Sequence, residues 1–279
     1  MNDKKTFKRP PVPKHMDPYH REKPETVPQP EPDEDAEGMI EGRNAVAEAL
    51  RAGHPIDKIY LAKGSTDSAL AHIAALGRAA GAVVVDADKR KLDAMSVTGA
   101  HQGVIALASV KAYVEIADIL KVAADRGEAP FIVVCDEISD PHNLGAIVRT
   151  AESAGVHGVI IPKRRSAGMT AVLSKTSAGA IEYMPVARVA NITSALEELK
   201  AAGVWIYGTA ADGGSLLWET DFKGPCAIVI GSEGEGMTRL VSENCDFKVR
   251  IPMKGRVSSL NASASASIVI YEAVRQRSV

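Results

Sequence analysis

From Phe131 onward the chain alternates near-continuous apolar runs with segments of helical periodicity, and few folds accept that pattern. FIVVCDE (131–137), GVIIP (158–162), MPVARV (184–189), VWIYGTA (204–210), CAIVIG (226–231) and FKVRIP (247–252) read as strands. Helices are expected over 141–154, over TAVLSKTSAGA (170–180), over ITSALEELKAAG (192–203) and over Leu260–Arg275. Strands with no polar alternation have no solvent side. The pattern therefore predicts an α/β fold, a mostly parallel sheet with helices on both faces. In such sheets ligands bind beyond the carboxyl ends of the strands. Chemistry is accordingly sought in the loops that follow each run.

A smaller α/β module precedes this sheet, over 38–110. GRNAVAEALRAG (42–53) has the spacing of an amphipathic helix closed by Gly53. KIYLA (58–62) and AVVVD (82–86) flank a helix around Ala69–Ala80, and HQGVIALAS (101–109) holds a last strand. Residues 111–129 read as a linker helix stopped before Pro130, and 130–279 as the main domain. Residues 1–37 hold eight of the fifteen prolines and almost no aliphatic side chains. Such a segment buries too little apolar area to offset its ordering entropy, so a disordered tail is expected there.

Net charge is −2, so any nucleic-acid contact must come from local patches rather than a bulk field. Cys135, Cys226 and Cys245 show no C-x-x-C spacing, and the first two sit in apolar runs. They read as free thiols in a reducing compartment. The histidines form no H-x-x-x-H pair and no cluster with cysteine, so no metal is expected. No run is long enough to cross a membrane and no signal peptide is recognised, which points to the cytoplasm with no membrane partner.

Three loops carry more than structure demands. In DPHNLGAIVRTAESAG (140–155), Asp140 is a natural N-cap, Pro141 suits the first helical position, and Leu144, Ile147, Val148 and Ala151 form the buried stripe. Arg149 lies off that stripe. With bare Gly145 one turn earlier, it is expected to fold back toward Asn143 at the strand end. An ordinary capped helix with a surface arginine fits this loop as well. In CAIVIGSEGEGM (226–237), a strand runs into Gly231, Glu233, Gly234 and Gly236. This is neither a dinucleotide fingerprint nor a P-loop. Its carboxylate repels phosphate, so the loop suits a neutral or cationic ligand, or a carboxylate that orients a partner. In RIPMKGRVSSLNASASASIVIYEAV (250–274), Lys254 and Arg256 lie on a loop that could meet phosphates. Ser259 and Asn261 straddle the start of the last helix, whose Ala/Ser stripe permits close packing on the sheet or on a second subunit.

Together, in order and spacing, these three loops resemble the signature motifs of the SpoU family of RNA ribose methyltransferases, also called the TrmH family, over roughly 131–277. No substitution falls at the family's key positions. Residues 38–110, through GRNAVAEAL and HQG, resemble the small RNA-binding domain of the ribosomal L30e type that precedes the catalytic domain in many members. The resemblance implies a trefoil knot near the C-terminus, an exception to the rule of unknotted connections. It implies S-adenosylmethionine as cofactor, a homodimer with shared active sites, and methylation of a ribose 2′-hydroxyl in rRNA or tRNA. Position by position, it assigns Asn143, Arg149, Glu233, Ser259 and Asn261 to catalysis, and Thr209, Gly231, Gly236, Ile251 and Leu260 to the cofactor. A guanosine of 23S rRNA is the expected target. A tRNA guanosine is the alternative, and a non-catalytic ribosome-assembly factor is a reading of a different class.

The chemistry agrees with that implication. A ribose hydroxyl is a poor nucleophile that must be held in line with the methyl group while its proton is lost. Amides such as Asn143 and Asn261 both donate and accept, and so orient a ribose. In the family Arg149 has been cast as general base. A free guanidinium keeps its proton at neutral pH, so phosphate binding and oxyanion stabilisation are the expected role.

Overall fold

The computed structural model describes residues 38–278, and the tail expected over 1–37 lies outside the described residues. The first sheet holds β1 (Met39–Glu41), β2 (Ile56–Ala62), β3 (Val83–Ala87) and β4 (Val104–Ala108) in the order β1-β4-β2-β3. Strands β2 and β3 run parallel, and the other two pairs antiparallel. Helices α1 (Arg43–Arg51) and α2 (Ser68–Ala79) build its main core through Val46, Leu50, Leu70 and Ile73 against Ile59 and Val104. A short α3 (Lys89–Met95) adds Leu92 against Ile105. The GRN and HQG segments meet here. Arg43 donates from Nε to the Gln102 carbonyl at 3.0 Å and from its backbone to Gln102 Oε1 at 3.2 Å, and its guanidinium pairs with Asp67 at 2.5 Å.

The second sheet comprises β5 (Phe131–Asp136), β6 (Gly158–Pro162), β7 (Val186–Val189), β8 (Trp205–Thr209), β9 (Ser215–Leu216), β10 (Cys226–Gly231) and β11 (Phe247–Arg250). Its order is β7-β6-β5-β10-β8-β11-β9, and every neighbouring pair is parallel. Alternation along β5 explains the unbroken apolar run. Phe131, Val133 and Cys135 face α5 (Pro141–Ser153) and α9 (Ala262–Arg277), whereas Ile132 and Val134 face α4 (Ile116–Arg126) and α7 (Ile192–Ala201). Each such side chain, fully buried, stabilises by about 1.5–3 kcal/mol. The helix read as a linker, α4, thus also covers the sheet with Ile116 and Ile119. It opens on a Glu115/Asp118 capping box and closes on left-handed Gly127.

The structure shortens one expected helix. Within 170–180 only α6 (Ala171–Thr176) is α-helical, and a 3-10 turn follows at Ala180–Glu182. Ala178 and Gly179 take φ of 51° and 81°, which an α-helix cannot continue through. Strands β1 and β9, α3 and α8 (Arg239–Glu243) had no signal, being short or polar. No helix among the described residues is long and apolar enough to cross a membrane.

The two sheets are joined by a buried polar cluster. Asp57, 4 % exposed, accepts from Tyr113 Oη and Arg188. Arg188 also donates to the Gly81 carbonyl at 2.9 Å and lies 4.0 Å over the Tyr113 ring. Lys111 Nζ donates to the Glu182 carbonyl at 2.8 Å.

His157, just before β6, is buried and its tautomer is fixed by its partners. The Phe131 amide donates to Nδ1 at 2.9 Å, so the proton sits on Nε2, 2.8 Å from Glu128. Burial pushes this histidine below its ordinary value, outweighing the Glu128 carboxylate that raises it. A depressed folded value means stability that is present above the unfolded value and lost as pH falls through the folded one. Melting temperature is expected to drop between pH 7 and pH 5. It should drop less steeply in His157→Asn, which keeps an acceptor for Phe131 and has no proton to gain. Parallel slopes in thermal scans of the two proteins would refute this.

Candidate active site

Strands β5 and β10 run in register to their ends, with Asp136 beside Gly231, and β8 and β11 follow on the far side of β10. The loops after these four strands therefore share one end of the sheet. The loop after β10 is a tight turn. Ser232 and Gly236 exchange two backbone hydrogen bonds of 3.0 Å, so Glu233, Gly234 and Glu235 form an exposed tip. Gly234 and Gly236 have φ of 83° and 70°, a region closed to most side chains. Buried Asp136 locks the turn from below by accepting from the Thr238 amide at 2.7 Å. Sequence reasoning missed Asp136. Its signal was a carboxylate ending an otherwise apolar strand.

Behind the turn lies a cleft whose empty space, open mouth included, is about 770 Å³. Thr209, Gly231, Gly236, Ile251 and Leu260 all line it, as do Glu233 and Ser259. Met253, Ala210 and Ser265 line it too and were not anticipated. Among the described residues the wall contains no lysine or arginine and one carboxylate, Glu233, among apolar side chains, bare backbone and the hydroxyls of Thr209, Ser232, Ser258, Ser259 and Ser265. That donor set suits a cationic or neutral ligand with a flat apolar part and disfavours a phosphate. Cys245 packs behind β8 against Met237, where burial pushes its thiol up to about 11, so it is no nucleophile.

A directed hydrogen-bond chain stands at the cleft's mouth. Asn261 caps α9, its Oδ1 accepting from the Ser263 and Ala264 amides at 2.9 and 3.2 Å. That fixes the amide's sense and turns its Nδ2 outward, to donate to Asn143 Oδ1 at 2.9 Å and to Glu233 Oε1. Asn143, buried, passes its own Nδ2 to Asp140 at 3.2 Å. The first, second and third loops are thus joined through one asparagine.

Three expected residues stand apart from this cluster. Arg149 is exposed, its side chain has no hydrogen-bond or ion-pair partner among the described residues, and it does not line the cleft. Gly145 is not a passage for it. Thr176 of α6 fills the space a Cβ would take there, with the Thr176 Cβ at 2.7 Å and the Ser177 amide at 3.0 Å. The glycine is bare because two helices touch at that point, which no local pattern records. Lys254 and Arg256 are exposed on the loop between β11 and α9, also without partners among the described residues. The Ala/Ser stripe of α9 packs in part on α5, where Thr150 and Ser267 hydroxyls meet at 3.1 Å.

The comparisons with known proteins agree with this geometry. The SpoU rRNA Methylase family model matches residues 130–271, and that of RNA 2′-O ribose methyltransferase substrate binding matches 39–114. The chain is 44% identical over 236 residues to the putative TrmH family tRNA/rRNA methyltransferase YacO of Bacillus subtilis, covering 85% of this chain and 94% of the relative. It is 44% identical over 239 residues to a putative TrmH family tRNA/rRNA methyltransferase of Staphylococcus aureus, covering 86% and 96%. Among solved structures, it is similar to the SpoU methyltransferase AviRb from Streptomyces viridochromogenes in complex with AdoMet. That match has a TM-score of 0.53 and 25% identity, over 86% of this chain and 90% of the other. An AdoMet-bound rRNA methyltransferase from Sinorhizobium meliloti gives a TM-score of 0.54 at 25% identity, over 85% and 86%. A parallel sheet with a glycine-edged cleft and a substrate-binding module in front define an RNA-modifying enzyme, and the chain belongs to the SpoU rRNA methylase family. Its activity is that of an RNA 2′-O-ribose methyltransferase.

Proposed function

We propose that this enzyme methylates the ribose 2′-hydroxyl of a guanosine in 23S rRNA, with S-adenosylmethionine as donor. What supports the methyl-transfer part of the reading is the Asn143–Asn261–Glu233 chain, which reaches the wall of a cleft without cations at Glu233. When bound, the donor supplies an electrophilic methyl group on a sulfonium. Thr209, Gly231, Gly236, Ile251 and Leu260 hold it through backbone and apolar contact, and the Glu233 carboxylate favours its positive charge. Asn143 and Asn261 orient the ribose, with Ser259 beside them. Transfer forms the oxygen–methyl bond, breaks the sulfur–methyl bond and releases the hydroxyl proton to water or the adjacent phosphate. Lys254 and Arg256 bind flanking RNA phosphates.

Arg149 serves as a clamp on the target's phosphate and on oxyanion charge. Exposed and without a side-chain partner among the described residues, it acts across a homodimer, with the second and third loops forming a trefoil knot. The test is transfer of labelled methyl groups from S-adenosylmethionine to bulk rRNA and bulk tRNA separately, followed by mapping of 2′-O-methylated positions. Label in a 23S guanosine is expected. Label in tRNA alone moves the target to the second reading, which the tRNA/rRNA names of the relatives favour equally.

Asn261→Asp separates the two jobs of that residue. Aspartate caps a helix as well as asparagine does, so melting temperature is expected to hold within a few degrees. Its second oxygen would face Glu233 and the Asn143 carbonyl instead of donating to them. Misplacing the reacting groups in this way is expected to lower turnover about a hundredfold at saturating RNA and donor. Full turnover in a steady-state assay would remove Asn261 from the catalytic set.

A further inference from the structure

The loop after β6 carries three consecutive cations, Lys163, Arg164 and Arg165, all exposed. It leaves the same end of the sheet as the loop after β10, two strands away across β5, or about 10 Å. Nothing in the methyl-transfer cleft uses it. Yet it is held at every step. Lys163 donates its amide to the Val189 carbonyl at 2.8 Å, and the Ala167 amide donates to the Ile138 carbonyl at 2.9 Å. Gly168 lies against Asp57 of the front module so closely that a Cβ would overlap the carboxylate. The Met169 amide donates to Tyr113 Oη at 3.1 Å, and the Val110 amide donates to the Met169 carbonyl at 2.7 Å. The loop thus runs from the cleft end of the sheet to the substrate-binding module.

Its conformation is strained at one point, and in a matched way. Arg165 has φ of 56°, and so does its ion-pair partner Glu137 at 61°, the two side chains meeting at 3.0 Å. Non-glycine residues in the left-handed region persist only where surroundings over-determine them, and they gather at functional sites. Here the outcome is a presentation. Glu137 neutralises Arg165, while the side chains of Lys163 and Arg164 keep no hydrogen-bond or ion-pair partner among the described residues. Two free cations are held on a fixed backbone between the module that grips RNA and the cleft that reacts with it.

We infer that Lys163 and Arg164 bind RNA backbone phosphates between the segment held by the front module and the target ribose. This site is separate from Lys254 and Arg256, and it rests on the RNA-methyltransferase reading. An RNA reaching both parts of the protein passes over this loop. Phosphate contacts there fix its register without reading its sequence.

The test is binding of the full chain to bulk rRNA at several salt concentrations, for the native protein, Lys163→Ala/Arg164→Ala and the charge-keeping Lys163→Arg/Arg164→Lys. Each phosphate contact on a single strand contributes about 0.7 to the slope of log affinity against log salt. The alanine pair is therefore expected to lower that slope by about 1.4 and to weaken binding roughly tenfold at moderate salt. The charge-keeping pair should retain both values. Affinity for S-adenosylmethionine, measured by calorimetry, should be unchanged in all three, which excludes misfolding as the cause. An unchanged salt slope in the alanine pair overturns the inference. Since binding is read directly, that failure is distinct from a failure of native protein to methylate rRNA or tRNA, which would sink the functional reading instead.

Discussion

Replacing Gly231 with alanine is expected to abolish donor binding and to lower the melting temperature by roughly 6–12 °C. The added Cβ would fall on the Gly236 carbonyl carbon and the Met237 amide nitrogen, with the Gly236 oxygen at 2.6 Å. Backbone atoms cannot swing aside as a side chain does. This stretch is tied on both sides, through the two Ser232–Gly236 hydrogen bonds and the Thr238 amide on Asp136. Relief requires breaking those bonds or bending the end of β10, a strand buried throughout. Overpacking of this kind costs about 3 kcal/mol, and each kcal/mol shifts a chain of this size by about 2–4 °C. Both displacements distort the wall of the cleft, so affinity for S-adenosylmethionine should fall more than about a hundredfold in calorimetry. Gly234→Ala is the control. That Cβ meets open space and bears only the cost of φ at 83°, on the order of 1 kcal/mol. Its donor affinity should remain within a few-fold of native. If Gly231→Ala binds the donor as the native chain does, the cleft is not the donor site.

The same turn shows why so much of the site was legible from residues alone. Its glycines, Glu233 and the strand before it are contiguous, so the chemistry is written within twelve letters. The sheet was legible for a related reason. A strand between two helical layers has no polar face, and the run from Phe131 to Cys135 states that without help from other regions. What stayed hidden depends on partners far along the chain. Asp136 meets Thr238 across 102 positions, and Asn261 meets Asn143 across 118. Gly145 was rightly singled out but for the wrong neighbour, since the space above it belongs to Thr176 rather than to Arg149. Arg149 itself is the clearest instance. A helical period fixes which side of α5 it occupies, whereas the fold leaves it exposed and off the cleft wall, a placement that no local pattern encodes.

Arg188→Ala is expected to cost about 3–5 kcal/mol and to free the front module from the catalytic sheet. Asp57 and Arg188 have side chains only 6 % and 7 % exposed, 131 positions apart, on β2 and β7. Truncating the arginine leaves a carboxylate out of water with Tyr113 as its remaining side-chain donor. Removing one member of a buried pair is severe for that reason, whereas replacing both by well-packed apolar groups is often neutral. The Gly81 carbonyl and the Tyr113 ring lose their cation as well. Urea unfolding should show the loss, with an early phase for the front module. Limited proteolysis should open the stretch from Ser109 to Glu115. The donor cleft lies at β8, β10 and β11, away from β7, so affinity for S-adenosylmethionine should be preserved. Methyl transfer should then fail in a particular way. KM for structured RNA rises, because the module no longer delivers RNA to a fixed place, while kcat at saturating RNA stays within a few-fold. The double variant Asp57→Leu/Arg188→Met separates the two effects: it should recover most of the stability, and the native KM only if docking returns with it. Native-like unfolding and native-like proteolysis of Arg188→Ala would show that the pair does not hold the two parts together.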